Sequence, residues 1–145
     1  MGRQGATSTG KALRRPRVLL VEDQALVAME FEGMLADLGC AVVGPFASVA
    51  PALDAARSEP LDGAMLDVNL AGEQSFPIAY ELLARQVPFF FVTGLTNAVL
   101  PPSLQDVPSL TKPVRPQALA ELVQQFLVPV ILSTASSSEP SPSSN

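Results

Sequence analysis

Between residues 17 and 127, short apolar runs alternate with longer segments whose apolar residues recur at helical spacing. Arg17–Val21 (RVLLV) predicts a first strand. Gln24–Leu38 follows, with Val27, Phe31, Met34, Leu35 and Leu38 at helical spacing and Gly39 as its stop. Ala41–Gly44 predicts a second strand, and Ser48 can cap a helix reaching Ser58 with Pro51 still in its first turn. Gly63–Leu66 predicts the third strand, ending at Asp67. Ser75 then caps a helix that opens Phe76-Pro77 and runs to Arg85, the proline near its favoured first position. Phe89–Val92 (FFFV) is apolar on both faces, as a central parallel strand must be. A short fourth helix near Thr96–Val99 has to stop before Pro101-Pro102. Ser109–Leu110 belongs to a brief fifth strand, and Pro116–Leu127 makes the last helix with Leu119, Leu122, Val123 and Phe126 on one face. Strands and helices alternating on short connectors predict an α/β fold: a five-stranded, parallel, doubly wound sheet with five helices on its two faces.

The chain has 145 residues, 48% hydrophobic, enough for one domain with a real core. Residues 1–15 are small, polar and basic, a disordered leader without the apolar stretch of a secretory signal. The folded domain is expected over 16–127. Residues 128–132 (VPVIL) form an apolar extension, expected either to fold back or to serve as a docking or dimer strand. Residues 133–145 (STASSSEPSPSSN) are a Ser/Pro tail too poor in apolar residues to offset its ordering entropy. No apolar run reaches the roughly 18 residues of a membrane span. The single cysteine, Cys40, excludes an internal disulfide and reads as a small buried hydrophobe. A cytoplasmic protein with no membrane partner is the expectation.

Charge sharpens the choice of chemistry. From residue 18 onward there are four basic residues against fourteen acidic ones, which argues against nucleic-acid binding by the folded part. There is no histidine, so His-ligated zinc, Ser-His or Cys-His nucleophile pairs and a phosphohistidine on this chain are excluded.

Open parallel sheets bind ligands outside the carboxyl ends of their strands. Those positions hold Glu22-Asp23, Asp67, Thr93-Gly94 and Lys112-Pro113. Crowded carboxylates repel, and a hard divalent cation with oxygen ligands relieves that repulsion, so the set suits Mg²⁺ (or Mn²⁺). Asp23 and Asp67 are the expected ligands, with Glu22 held through water and Asn69 offering its backbone carbonyl. Asp67 is the candidate nucleophile for phosphorus, Lys112 supplies positive charge to a phosphoryl oxygen, and Thr93 supplies a hydroxyl to another.

These residues resemble the receiver domain of two-component response regulators. VLLVEDQ resembles that family's opening motif, MLDVNL its phosphoacceptor motif, FFFVTG its hydroxyl strand and LTKP its lysine motif. The resemblance covers residues 17–127. Finer features, DVNLAGEQSFPIAYELLARQVPFFFVTGL and LPPSLQDVPSLTKP, are similar to the FAT GUY subgroup. It implies a flavodoxin-like receiver fold, phosphorylation of Asp67 by a histidine kinase or histidine phosphotransfer protein, a downstream protein partner, and a phosphoacceptor role in a relay, not that of a turnover enzyme; for the subgroup it also implies bacterial stress signalling. Because no DNA-binding or enzymatic module follows residue 127, output by protein–protein contact, including a possible homodimer, is expected.

Two positions depart from the family. Ser109 stands where receivers carry a Tyr or Phe that swings inward on phosphorylation, and Leu95 stands where the subgroup has an aromatic. Thr93 and the loop through Leu100-Pro101 are then left to carry the conformational signal. Three other readings compete. An aspartate-nucleophile phosphatase needs an acid just past the nucleophile, where Asn69 cannot serve. A flavin-binding protein wants a phosphate loop where EDQALVA is acidic. A pseudo-receiver, which binds partners without being phosphorylated, keeps the fold and stays open.

Overall fold

The computed structural model describes residues 14–94 and 99–136, with side chains as far as Phe126. Five strands, β1 (Arg17–Val21), β2 (Ala41–Phe46), β3 (Gly63–Asp67), β6 (Phe89–Thr93) and β7 (Ser109–Thr111), form one parallel sheet in the order β2-β1-β3-β6-β7. Between β3 and β6 a small antiparallel hairpin, β4 (Asn69–Leu70) and β5 (Glu73–Gln74), precedes the third helix. The helices are α1 (Ala25–Asp37), α2 (Val49–Ser58), α3 (Phe76–Ala84) and α4 (Pro116–Ser136), with a 3-10 turn at Pro102–Leu104.

The period-two alternation of the central strands divides the core into two layers. Leu19, Val21, Leu66, Phe89 and Phe91 face α2 and α3, where they meet Ala52, Ala56, Ile78 and Leu82. Val18, Leu20, Met65, Phe90 and Val92 face α1 and α4, where they meet Phe31, Leu35, Leu119 and Val123. Every residue of β3 and β6 is buried, which is why FFFV carries no polar position. Each fully buried leucine or phenylalanine here contributes on the order of 2 kcal/mol. Helix α1 ends in a Schellman motif: Gly39, at φ +85, donates its N–H to Ala36 O, and Cys40 donates to Leu35 O. That places Cys40 in the core beside Leu35.

The architecture matches the expected parallel doubly wound sheet, with differences in detail. The helix expected near Thr96–Val99 falls mainly on residues 95–98, outside the described residues; among the described residues there are four α-helices. The last helix does not stop at Leu127 but continues to Ser136, so the 128–132 extension and the start of the expected disordered tail are helical. Pro129 lacks the N–H for one i→i−4 bond, yet no glycine or capping residue follows to end the helix before Ser133. At the other end, Arg14 of the expected leader pairs with Asp62 at 2.8 Å, and Arg15 donates to Cys40 O at 3.3 Å. Strand β2 runs two residues beyond Gly44 through a register shift against β1, where Leu19 pairs Val43 but Val21 pairs Phe46. No helix among the described residues is long and apolar enough to cross a membrane.

Candidate phosphoacceptor site

Register brings the chemistry to one edge. Val21 pairs with Leu66 and Asp67 with Val92, so Glu22 and Asp67 come level at the carboxyl ends of adjacent strands. Thr93 ends β6 beside Thr111 of β7, and Lys112 follows, its N–H donating to Thr93 O at 2.8 Å. The β2 register shift also reaches the site: Phe46 O accepts the Glu22 N–H at 2.9 Å, fixing the chain where it leaves β1.

Glu22 and Asp67 are buried, at 2% and 5% exposure, and Thr93 is buried with them. The Lys112 ammonium lies between the two carboxylates, 2.9 Å from Glu22 Oε1 and 3.1 Å from Asp67 Oδ2. The Asp67 contact is an aligned hydrogen bond, whereas Glu22 Oε1 has only the ion pair, without hydrogen-bond angles. Glu22 Oε2 accepts the Gln24 N–H at 3.1 Å. Asp23 Oδ2 accepts the Ala71 N–H at 2.9 Å, tying the first strand's acidic pair to the hairpin after Asp67. Asn69 is exposed at the start of that hairpin.

Burial pushes the Asp67 carboxyl up to about 6; Lys112 pulls it down, and the Glu22 charge adds to the rise. Burial lowers the Lys112 ammonium, but the two carboxylates outweigh it and leave it raised. One oxygen each from Glu22, Asp23 and Asp67 lies within 4.8 Å of the others. Two of these carboxylates are buried against one cation, and Glu22 Oε1 lacks an aligned donor. Hard oxygen ligands with an excess of negative charge fit a small divalent cation. The sequence-predicted residues Glu22, Asp23, Asp67, Thr93 and Lys112 therefore meet at this edge, while Asn69 stands beside it in β4. The support from Phe46 O and the Ala71 N–H was not foreseen.

Because a protonated carboxyl cannot ligate, divalent-cation affinity is expected to fall as pH drops through about 6. At pH 5 it should be about tenfold weaker than at pH 7.5. Mg²⁺ titration followed by amide shifts at both pH values checks this; equal affinities would show that Asp67 is not a ligand.

A parallel sheet of this order, with acidic residues after its first and third strands and a lysine after its last, defines a receiver domain, and the chain belongs to the receiver family of response regulators. Among solved structures it is 38% identical to SdrG from Sphingomonas melonis Fr1, over 78% of this chain and 97% of that one, with a TM-score of 0.70. SdrG has also been solved in a BeF3-activated conformation, to which the chain is 37% identical over 77% of this chain and 95% of that one, with a TM-score of 0.66. The receiver domain of sensor histidine kinase PA1611 from Pseudomonas aeruginosa PAO1, with magnesium coordinated in its active-site cleft, shares the fold at 23% identity over 79% of this chain and 99% of that one, with a TM-score of 0.65. Among curated proteins it is similar to transcriptional regulatory protein PdtaR of Mycobacterium tuberculosis, 25% identical over 120 residues and 82% of this chain. The chain spans 58% of the length of that relative. No family model matches the sequence.

Proposed function

We propose that this chain is a phosphorylatable receiver that accepts a phosphoryl group on Asp67 from a histidine kinase or histidine phosphotransfer protein and signals by protein contact. The observation that carries the reading is the Lys112 ammonium held 3.1 Å from a buried Asp67 carboxylate at the edge where Glu22 and Asp23 converge. The BeF3-activated form of SdrG supports it by likeness.

In the proposed reaction an ionised Asp67 oxygen attacks phosphorus on the donor's phosphohistidine. An O–P bond forms as the P–N bond breaks, and the imidazole keeps the electron pair and takes a proton from solvent. Lys112, already between Glu22 and Asp67, turns its positive charge to a phosphoryl oxygen, and the Thr93 hydroxyl serves another. Asp23, Asp67 and the Asn69 carbonyl would hold Mg²⁺ or Mn²⁺, with Glu22 acting through water; the bound ion supplies positive charge that offsets the carboxylates and the incoming phosphoryl group. These 145 residues hold no histidine, so the donor histidine lies outside them.

The finer likeness to the FAT GUY subgroup supports a place in a phosphorelay and in stress signalling. Ser109 lies exposed at the start of β7 and offers no aromatic ring to the switch. That absence favours Thr93 and the loop through Leu100-Pro101 as the moving parts, and it is also the one observation favouring a pseudo-receiver. Intact mass after incubation with acetyl phosphate separates the two. A Mg²⁺-dependent gain of one phosphoryl mass is expected, absent from Asp67→Ala. No gain from either acetyl phosphate or a phosphorylated histidine phosphotransfer protein would leave the pseudo-receiver reading.

A further inference from the structure

Of the three carboxylates at the strand ends, Asp23 has the least to hold it in place. It lies half-buried in the irregular segment between β1 and α1, and the Lys112 ammonium pairs with Glu22 and Asp67 instead of with it. Among the described residues one donor reaches its carboxylate. That donor is the Ala71 N–H, 2.9 Å from Asp23 Oδ2 and 48 residues away along the chain.

A particular turn delivers it. Leu70 pairs with Glu73 across β4 and β5, so Ala71-Gly72 alone makes the connection. Both residues have positive φ, +50 and +91, the torsions of a type I′ turn. In such a turn the flanking pair closes the ladder, which leaves the N–H of the first central residue for an outside acceptor. Glycine, asparagine and aspartate are the usual residues at that position. Alanine has no preference of its own for the left-handed region, so the contacts around Ala71 hold it there. The hairpin itself is firmly anchored. Leu70 is 1% exposed in the core layer that faces α2 and α3, and the Ser75 N–H donates to Val68 O at 2.9 Å across the base. A donor on so fixed a support keeps its acceptor in one orientation.

We propose that Ala71 is a positioning residue for the divalent cation: its N–H, presented by the β4–β5 turn, fixes the Asp23 carboxylate where it can meet the ion together with Asp67. The inference rests on the metal reading given under the proposed function. With Oδ2 held by the turn, Oδ1 remains for the cation. An N–H suits this task better than a second ammonium, since it orients Asp23 without cancelling the negative charge that attracts the ion. The hairpin also begins at Asn69, so one short element serves both Asp23 and the carbonyl expected beside Asp67.

A backbone substitution tests it. Replacing the Leu70–Ala71 amide by an ester, with lactate in place of alanine, deletes this N–H and keeps every side chain. Proline, the coded residue without an N–H, has φ near about −65° and could not hold the turn. Mg²⁺ titrations of the full chain, followed by amide shifts, should show affinity about tenfold lower in the ester than in the wild type. The shifts of Asn69, Glu73 and Gln74 without Mg²⁺ should stay as in the wild type. Ala71→Gly keeps the N–H and should bind Mg²⁺ as the wild type does. However the ester folds, the wild-type Ala71 amide proton should lie downfield, as a donor to a carboxylate does, and move upfield in Asp23→Ala. Equal affinities for ester and wild type would overturn the proposal. So would a loss that Ala71→Gly shares, a loss that comes with collapse of the hairpin shifts, or an Ala71 amide proton indifferent to Asp23→Ala. A wild type whose shifts ignore Mg²⁺ would instead remove the metal reading, and this inference with it.

Discussion

Asp67→Asn is expected to stabilise the metal-free protein by about 2 kcal/mol at pH 7.5, although Asp67 is the residue on which the proposed chemistry depends. In the folded chain its carboxyl titrates at about 6 instead of 3.8, because burial and the Glu22 charge outweigh the attraction of Lys112. A raised carboxyl pKa means that folding favours the neutral form. The corresponding stability is fully present below 3.8 and is lost as pH rises through about 6. Asparagine stays neutral at every pH and still offers an oxygen to Lys112. The gain of the variant should therefore shrink as pH falls from 6 towards 4. Saturating Mg²⁺ should stabilise the wild type and not the variant. Urea midpoints across pH 4–8, with and without Mg²⁺, measure all of this. A variant less stable than wild type at pH 7.5 would show that Asp67 is a net stabilising member of the ion-pair cluster, not a strained one.

Gly44→Ala is expected to cost about 3 kcal/mol and to disturb the site from outside it. Gly44 has φ +114, a conformation residues with a side chain rarely adopt. A Cβ there would lie 2.8 Å from Leu20 O and 2.9 Å from Phe46 N, backbone atoms that cannot swing away. The same segment presents Phe46 O to the Glu22 N–H. Relaxation of β2 would therefore move the start of the acidic pair, and Mg²⁺ affinity should fall together with stability. Urea denaturation and a Mg²⁺ titration on one preparation check both. A neutral effect would mean that β2 can release its register shift without strain.

Much of this was legible in the sequence, for a physical reason. The strands of a doubly wound sheet are short and apolar on both faces, so RVLLV, GAML and FFFV stand out, and the residues that follow them are brought to one edge whatever the loops do. Glu22, Asp23, Asp67, Thr93 and Lys112 could thus be placed together before any distances were known. Features that depend on backbone torsion were hidden. The β4–β5 hairpin turns at Ala71-Gly72, both at positive φ, and alanine gives no turn signal. The β2 register shift needs Gly44 at φ +114, but one glycine before a proline reads only as a strand end. The continuation of α4 past Leu127 is not legible from the spacing of Leu119, Leu122, Val123 and Phe126, which ends there, and Pro129 costs the helix only one backbone bond. The pairing of Arg14 with Asp62 depends on a contact across 48 residues that no local pattern carries.

The most direct test is to locate the phosphoryl group by chemistry specific to an acyl phosphate. After incubation with acetyl phosphate and Mg²⁺, borohydride reduces an aspartyl phosphate to homoserine, and trypsin releases residues 58–85 as one peptide because no Lys or Arg lies between Arg57 and Arg85. Fragment masses should place homoserine at position 67 and leave Asp62, Glu59, Glu73 and Glu81 unchanged. Homoserine at another position, or an unmodified peptide from protein that has gained phosphoryl mass, would contradict Asp67 as the phosphoacceptor.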